Sequence, residues 1–181
     1  MGTIGDAQPV KLFVGMLAAR PQRLADAERR LVGEFGSVDL SSPVLPFEQT
    51  EYYREQMGPD LKRKFLGFER LIRPEALVEA KRITNNLEKD LASDVDAGPV
   101  RPVNLDPGYL AFAKVVLATT KDFSHRVYLG GGIYAEVTLR YRRGRYEPWE
   151  WTYPDYRTPE YGAFFLEMRE RLRQQLRTVG R

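Results

Sequence analysis

Two short polar stretches contain most of the side chains that could carry out chemistry. Asn104 and Asp106 lie two residues apart in NLDPGYL, and the stretch TTKDFSHR, residues 119–126, contains a lysine, an aspartate, an arginine and the only histidine of the chain. Residues two apart in an extended segment point to the same side. The Pro107-Gly108 pair that follows predicts a turn that would hold the first stretch in place.

Glu136 adds a third acidic group, because it projects from the polar face of a long predicted strand. If these groups come together, the carboxylates can hold Mg²⁺ or act as a general base, and the cations can hold phosphate. We predict catalytic roles for Asp106, Asp122, His125 and Glu136. Ligand-binding roles are predicted for Asn104, Lys121, Arg126, Tyr134 and Trp151, the last two by stacking on a base. A Mg²⁺ ion, where one is needed, would use Asp106, Asp122 and Glu136.

This pattern predicts a protein that binds a phosphorylated small molecule such as a nucleotide, with hydrolysis or transfer of the phosphoryl group as an extension. The competing interpretation is structural. Asp-Pro-Gly is a common turn sequence, Lys121-Asp122 fits an ordinary solvated loop, and a lone histidine is more often structural than catalytic. Sequence alone leaves both interpretations open.

A second candidate surface is the basic and aromatic stretch RYRRGRYEPWEWTYPDYR, residues 140–157. Arginines interleaved with aromatics suit nucleic-acid backbones and stacked bases. The same residues also fit a hairpin with a charged tip whose aromatics pack under a helix. A nucleic-acid-binding or RNA-binding module is therefore the alternative function, and an interaction module without a small ligand is a third.

Several classes of protein are excluded. The chain has no cysteine and one histidine, so sites that need a thiolate, an Fe–S cluster or paired histidines are ruled out. GxxxxGK[ST] is missing, which excludes a P-loop nucleotide site. No apolar run reaches the roughly 18 residues of a membrane span, and the N-terminus lacks the features of a signal peptide. We expect a cytoplasmic protein that does not enter a membrane.

The elements that must position these residues follow from periodicity. In the first half we predict strand, helix, strand, strand, helix and strand, which is the ferredoxin-like order. The predicted segments are a strand Val10–Ala18, a helix with Leu24, Ala27, Leu31 and Phe35 on one face, an extended segment Ser42–Phe47, a strand Arg63–Ile72, a helix starting at Pro74, and the extended segment VNLDPGYL.

The second half predicts an antiparallel meander made from AKVVLATT, HRVYL and IYAEVTLRYR, with a hairpin at Gly130–Gly132. In the longest strand, Ile133, Ala135, Val137 and Leu139 should face the core and leave Glu136 on an open or ligand-facing surface. Pro159 starts a final amphipathic helix. The prediction is one α+β domain over residues 1–181, with that helix packed on the sheet.

In VNLDPGYL, KVVLATTKDFSHRVYL, GIYAEVTL and WTYPDYRT the chain resembles domain-of-unknown-function family 4416, found in bacteria and archaea. The resemblance runs nearly from end to end and also includes KLFVGML, TEYYREQMG and KRITNNLE. It implies no particular activity. It does imply that the hallmark segments are Asn104–Tyr109, Thr119–Arg126, Tyr134–Glu136 and Trp151–Arg157, and it adds Thr84, Asn85 and Asn86.

Overall fold

A computed structural model describes residues 2–49, 53–93 and 99–179. In those ranges the chain forms β1 (Val10–Ala18), α1 (Pro21–Phe35), β2 (Val38–Ser41), β3 (Leu45–Pro46), α2 (Arg54–Met57), β4 (Lys62–Ile72), α3 (Leu77–Ser93), β5 (Asn104–Ala111), β6 (Lys114–Thr119), β7 (Val127–Gly130), β8 (Ile133–Arg142), β9 (Arg145–Pro148) and α4 (Pro159–Val179). Short 3₁₀ turns precede α3 and α4. None of these helices has the length and apolar character needed to cross a membrane.

The nine strands form one antiparallel sheet in the order β2-β4-β1-β5-β6-β8-β7, with β3 beside β4 and β9 beside β8. The expected mixed α+β architecture, with a C-terminal helix on the sheet, is confirmed. The strand over residues 10–18 has the predicted bounds. Its nine residues are all buried and are rich in β-forming types.

Side chains of β1 alternate between two cores. Leu12, Val14 and Met16 pack with the helices α1 and α3 on one face. On the other face, Phe13 packs under α4 in an aromatic cluster whose ring contacts involve Phe65 and Phe165. Each face of the sheet is therefore covered, the second one by α4 and, around Leu17, by Met57 of α2.

The second predicted strand is displaced. Instead of one segment over Ser42–Phe47, the chain pairs with β4 through β2 at Val38–Ser41 and again through β3 at Leu45–Pro46. The two pieces are separated because Pro43 has no N–H to donate. Ser42 spans the break, since its N–H reaches the carbonyl of Phe65 and its hydroxyl accepts from the Phe65 N–H at 2.9 Å.

The predicted turn at Pro107-Gly108 is wrong, because both residues lie inside β5. A Cβ at position 108 would lie 2.5 Å from both the Phe13 ring and the Val116 carbonyl oxygen, so glycine is required for close packing here. The ladder between β5 and β6 stops at Gly108–Leu117. Pro107, the next residue, has no N–H to continue it, so the two strands separate beyond this point.

The predicted alternation of β8 is interrupted. Val116 of β6 pairs with Val137 while Val115 pairs with Leu139, so Thr138 is an extra residue in the ladder. Because of this bulge, Leu139 packs under α4. Strict alternation would have placed it on the opposite face of the sheet. Of the two surroundings predicted for Glu136, the open surface is wrong, since only 2% of the residue is exposed.

Candidate functional site

A cleft of about 530 Å³ opens where β5 and β6 have separated, on the face of the sheet that α4 covers. Its described lining is polar and charged. The cationic side chains are Arg63, Lys81, Arg101, Lys121 and Arg126, and the carboxylates are Asp106, Glu136 and Asp155. Aromatic side chains also line it, namely Phe47, Tyr53, Tyr153 and Tyr156.

Asp106 lies at the centre of the first charge cluster. Its carboxylate is 3.5 Å from the Arg63 guanidinium and 3.7 Å from the Lys81 ammonium, and it accepts a 2.6 Å hydrogen bond from the Asn104 amide. Burial acts to raise the pKa of Asp106, but Lys81, Arg63 and Asn104 together hold that pKa below its ordinary value. Asp106 is therefore an ionised carboxylate, suited to accept hydrogen bonds.

Arg63 joins Asp106 to a second carboxylate. Its other terminal nitrogen is 3.3 Å from Asp155, and its guanidinium packs against the rings of Phe47 and Phe65. Only 3% of the Arg63 side chain is exposed, and its Nε has no hydrogen-bond partner among the described residues. Burial raises the pKa of Asp155, and Arg63 offsets this only in part.

Lys81 reaches the site from α3, whose apolar side packs on the opposite face of the sheet. It donates to the Leu105 carbonyl at 3.1 Å as well as facing Asp106. Nearby, Glu88 of α3 accepts from the Leu105 N–H at 2.7 Å and from Arg101 at 2.8 Å, which fixes Arg101 at the rim. Burial raises the pKa of Glu88, although Arg101 opposes this.

Glu136 organises the second cluster. Its carboxylate accepts from the Arg126 Nε at 2.9 Å and lies 3.2 Å from the His125 Nε2. The other nitrogens of Arg126 donate to the Lys121 carbonyl at 3.0 Å and to the Tyr153 hydroxyl at 2.7 Å. Arg126 is thus fixed from three sides. Burial and the Glu136 charge raise the pKa of Tyr153 to about 12, so this hydroxyl stays protonated at neutral pH.

His125 belongs to an aromatic stack behind this cluster. Its ring stacks on Trp151 at 5.2 Å, and Trp151 stacks in turn on Trp149 at 5.2 Å. Arg140 covers the far side of Trp149, with its guanidinium carbon 4.3 Å from the ring centroid. The Trp151 Nε1 donates to the Val137 carbonyl. Trp151 therefore supports His125, and both of its ring faces have partners.

The structure brings five of the nine predicted site residues into the lining of one cleft: Asn104, Asp106, Lys121, Arg126 and Glu136. His125 contacts Glu136 without lining the cleft. Trp151 lies in the stack, and Tyr134 packs on Tyr128 with ring centroids 5.1 Å apart. Asp122 is exposed on the turn.

The predicted magnesium ligands do not come together. Across residues 2–49, 53–93 and 99–179, no group of three or more histidine, cysteine, aspartate or glutamate side chains is placed to hold a metal ion. Asp106 and Glu136 line the same cleft, but each already faces cationic partners, and Asp122 lines no part of it.

Arg63, Lys81 and Asp155 are not among the predicted site residues, although Asp155 lies in the hallmark segment Trp151–Arg157 and the sequence carries a signal for the two cations. Lys81 lies four residues after Leu77 and three before Thr84, on the buried side of α3, and Arg63 is two residues from the core residue Phe65. A cation on an apolar face needs a partner. Of the residues added by the resemblance, Asn85 lines the cleft, Thr84 is buried and Asn86 is exposed.

The basic stretch forms the β8–β9 hairpin, whose cations and aromatics are largely engaged. Arg140 and Arg145 lie 3.7 Å and 3.4 Å from Glu147. Tyr141 is covered by the Arg169 guanidinium of α4 at 3.8 Å from its ring centroid, and Tyr146 is buried. Arg142 and Arg143, at the tip of the hairpin, are exposed.

No curated protein matches the chain significantly. A family model described as a domain of unknown function (DUF4416) matches residues 8–172. These residues include every strand and helix that builds the cleft. Because the match covers most of the 181 residues, the chain belongs to the DUF4416 family.

Proposed function

We propose that the cleft binds a phosphorylated small molecule such as a nucleotide. The observation that carries this proposal is the charge of the described lining, in which five cationic side chains outnumber three carboxylates. An excess of fixed positive charge in a concave site attracts an anion. The volume of about 530 Å³ also falls in the range of roughly 300–1,000 Å³ that is usual for small-molecule sites.

The phosphate group is assigned to the end of the cleft formed by Lys121 and Arg126. Both residues lie on the turn after β6, beside the hydroxyl-bearing residues Thr119 and Thr120. Arg126 is oriented before any ligand arrives, because Glu136 and the Tyr153 hydroxyl each hold one side of its guanidinium. A pre-oriented arginine binds phosphate with less loss of side-chain entropy than a mobile one.

Hydrolysis or transfer of the phosphoryl group is the second part of the proposal. It needs a general base, and a carboxylate whose pKa is raised towards neutrality serves this role better than one whose pKa is depressed. Of the two carboxylates that face Arg63, burial raises the pKa of Asp155, whereas Lys81, Arg63 and Asn104 depress that of Asp106. Because Asp106 and Glu136 already face cations, we expect any Mg²⁺ to arrive with the phosphate groups of the ligand.

A thermal-shift screen tests the binding proposal, since a ligand that binds only the folded state raises its apparent stability. The probes are nucleotides and sugar phosphates, each with and without Mg²⁺. For any compound that binds, we expect Lys121→Ala to raise Kd about ten- to hundredfold, the typical effect of losing a charge-assisted hydrogen bond. Release of inorganic phosphate in the same samples tests the reaction.

Lys114→Ala is the matched control. Lys114 starts β6 and Lys121 follows its end, and both lysines are exposed. The two variants make the same change in charge, so only Lys121→Ala should alter Kd. Equal effects of both variants would show that net charge rather than the cleft controls binding, and the absence of any binding compound would refute the proposal.

We also propose that the first half of the chain is a ferredoxin-like unit. Its support is the antiparallel order β2-β4-β1-β5, together with packing of α1 and α3 in one core. An experimental structure in which α1 and α3 lay on opposite faces of the sheet would refute this assignment.

A further inference from the structure

The charges of the cleft are not evenly distributed. Arg63 lies between Asp106 and Asp155, at 3.5 Å and 3.3 Å, and Lys81 lies 3.7 Å from Asp106. These four charged residues and Tyr156 form what we call the floor, whose two positive and two negative charges balance. The remaining charged residues of the described lining, which we call the walls, are Arg101, Lys121, Arg126 and Glu136. The walls therefore carry the excess of positive charge.

The floor also holds two buried polar atoms that have no partner among the described residues. One is the Nε of Arg63, whose side chain is 3% exposed, and the other is the hydroxyl of Tyr156, a residue that is 4% exposed. Both residues line the cleft. A buried donor without a hydrogen bond costs about 1–3 kcal/mol, so such atoms are rare unless another molecule satisfies them.

From this arrangement we infer that the floor binds the uncharged, hydroxyl-bearing part of the ligand, such as a sugar ring, while the walls bind its phosphate. The inference rests on the proposed function and adds the orientation of the ligand and the chemistry of its second half. Sugar hydroxyls both donate and accept. They can donate to Asp106 and Asp155 and accept from the Arg63 Nε and the Tyr156 hydroxyl.

A phosphate group on the floor is disfavoured by electrostatics. It would lie beside two carboxylates, Asp106 and Asp155, whose charges Arg63 and Lys81 already balance, so the floor offers no excess positive charge to an anion. Like charges in a partly desolvated site repel by several kcal/mol at close range. An uncharged group meets no such penalty and still satisfies the unpartnered atoms.

Tyr156→Phe tests the inference, with Tyr161→Phe as the matched control. Both tyrosines are buried and both contact Phe65, but only Tyr156 lines the cleft, whereas the Tyr161 hydroxyl faces the Arg63 guanidinium. Because the Tyr156 hydroxyl has no hydrogen-bond partner among the described residues, Tyr156→Phe should not lose stability. Thermal denaturation of both variants checks that they fold.

The binding probes are ribose 5-phosphate, adenosine monophosphate and inorganic phosphate, measured by calorimetry. We expect Tyr156→Phe to weaken binding of the first two about three- to tenfold, as for the loss of one hydrogen bond, and to leave inorganic phosphate unchanged. Tyr161→Phe should change none of the three. A larger loss for ribose 5-phosphate than for adenosine monophosphate would identify a free sugar phosphate as the better ligand, and the reverse a nucleotide.

Two results would overturn the inference while leaving the proposed function intact. In the first, the phosphorylated probes bind Tyr156→Phe and Tyr161→Phe equally well. In the second, Tyr156→Phe weakens inorganic phosphate as much as ribose 5-phosphate, which would place the phosphate on the floor. If no phosphorylated probe binds the unaltered protein, the proposed function itself fails and the inference fails with it.

Discussion

Lys11 and Arg63 are two buried cations on neighbouring strands, under opposite ends of α4. Gln175, in the last turns of that helix, contacts Lys11, and Tyr161, in its first turn, packs on Phe65 beside Arg63. Both cations are at least 97% buried. They differ in how completely the protein satisfies their hydrogen-bonding groups.

The ammonium of Lys11 is fully used. It donates to Asp39 at 2.7 Å, to the Phe68 carbonyl at 2.8 Å and to Gln175 at 3.0 Å, which accounts for its three donors. Burial lowers the pKa of Lys11, although Asp39 opposes this. These contacts tie β1, β2, β4 and α4 together, so the role of Lys11 is structural.

The donors of Arg63 are less completely hydrogen-bonded than those of Lys11. Arg63 forms ion pairs with both Asp106 and Asp155. A Cβ at position 15 would lie 3.2 Å from the Arg63 guanidinium, so Gly15 leaves space for that group. The Arg63 Nε nevertheless has no partner among the described residues, and the cleft opens beside it. The difference is that Lys11 has all its donors used within the packed protein, whereas Arg63 keeps an unused donor and lines the cleft.

The largest effect expected from this comparison is on stability at Lys11. Lys11→Met keeps the aliphatic stem but leaves Asp39 and Gln175 without their cation. We expect a loss of about 3 kcal/mol in the free energy of unfolding, as for removal of one partner from a buried ion pair. Urea denaturation measures it, with the exposed Lys114→Met as control. A loss below about 1 kcal/mol would contradict a structural role.

An intermediate effect is expected at Arg63, and it should fall on binding rather than on folding. Arg63→Lys keeps one positive charge between Asp106 and Asp155 but removes the planar guanidinium and its unused N–H. We expect a loss of about 1–2 kcal/mol in stability and about tenfold weaker binding of ribose 5-phosphate. Paired urea denaturation and calorimetry measure the two effects. Loss of stability with unchanged Kd would show that Arg63, like Lys11, has a structural role only.

The smallest effect concerns the two carboxylates that flank Arg63. The pKa of Asp106 lies below its ordinary value of 3.8, so its contribution to stability is fully present above that pH and is lost as the pH falls through the lower folded value. The pKa of Asp155 is raised, so ionised Asp155 reduces stability, and this cost disappears as the pH falls below 3.8.

Urea denaturation between about pH 7 and about pH 3 separates the two carboxylates. The stability gap between the unaltered protein and Asp106→Asn should shrink towards acid pH. For Asp155→Asn the change should have the opposite sign, with the unaltered protein gaining relative to the variant as the pH falls. Parallel pH profiles for the two variants would contradict this assignment, because they would show that the pKa values of Asp106 and Asp155 are shifted in the same direction.

The elements that were predicted well are those whose pattern is set by neighbours in sequence. The helical stripe of Leu24, Ala27, Leu31 and Phe35 is buried as expected, and β1 has its predicted bounds. The β8–β9 hairpin follows from Arg143-Gly144, since both residues have positive φ, of 52° and 83°. In each case the local conformation depends on residues a few positions apart.

The errors share one cause. Asp106-Pro107-Gly108 has the local chemistry of a turn, but β1 pairs with all three residues and the Phe13 ring needs the space at Gly108. The bulge at Thr138 is likewise imposed by β6, with no local signal that would place it. Burial of Arg63 and Lys81 depends on Asp106, which is 43 and 25 residues away. Patterns of period two or 3.6 carry no information about such distant partners.

By itself, therefore, the sequence determined the mixed α+β character, the ends of its most periodic elements and the exclusion of thiolate, paired-histidine and P-loop chemistry. The sequence also identified five polar residues that line one cleft, namely Asn104, Asp106, Lys121, Arg126 and Glu136. Only the tertiary structure decided that Arg63, Lys81 and Asp155 join them, and that Asp122, Tyr134 and Trp151 do not line the cleft. The physical reason is that a buried charge is stable only beside its partner, and the partners here come from strands and helices far apart in the chain.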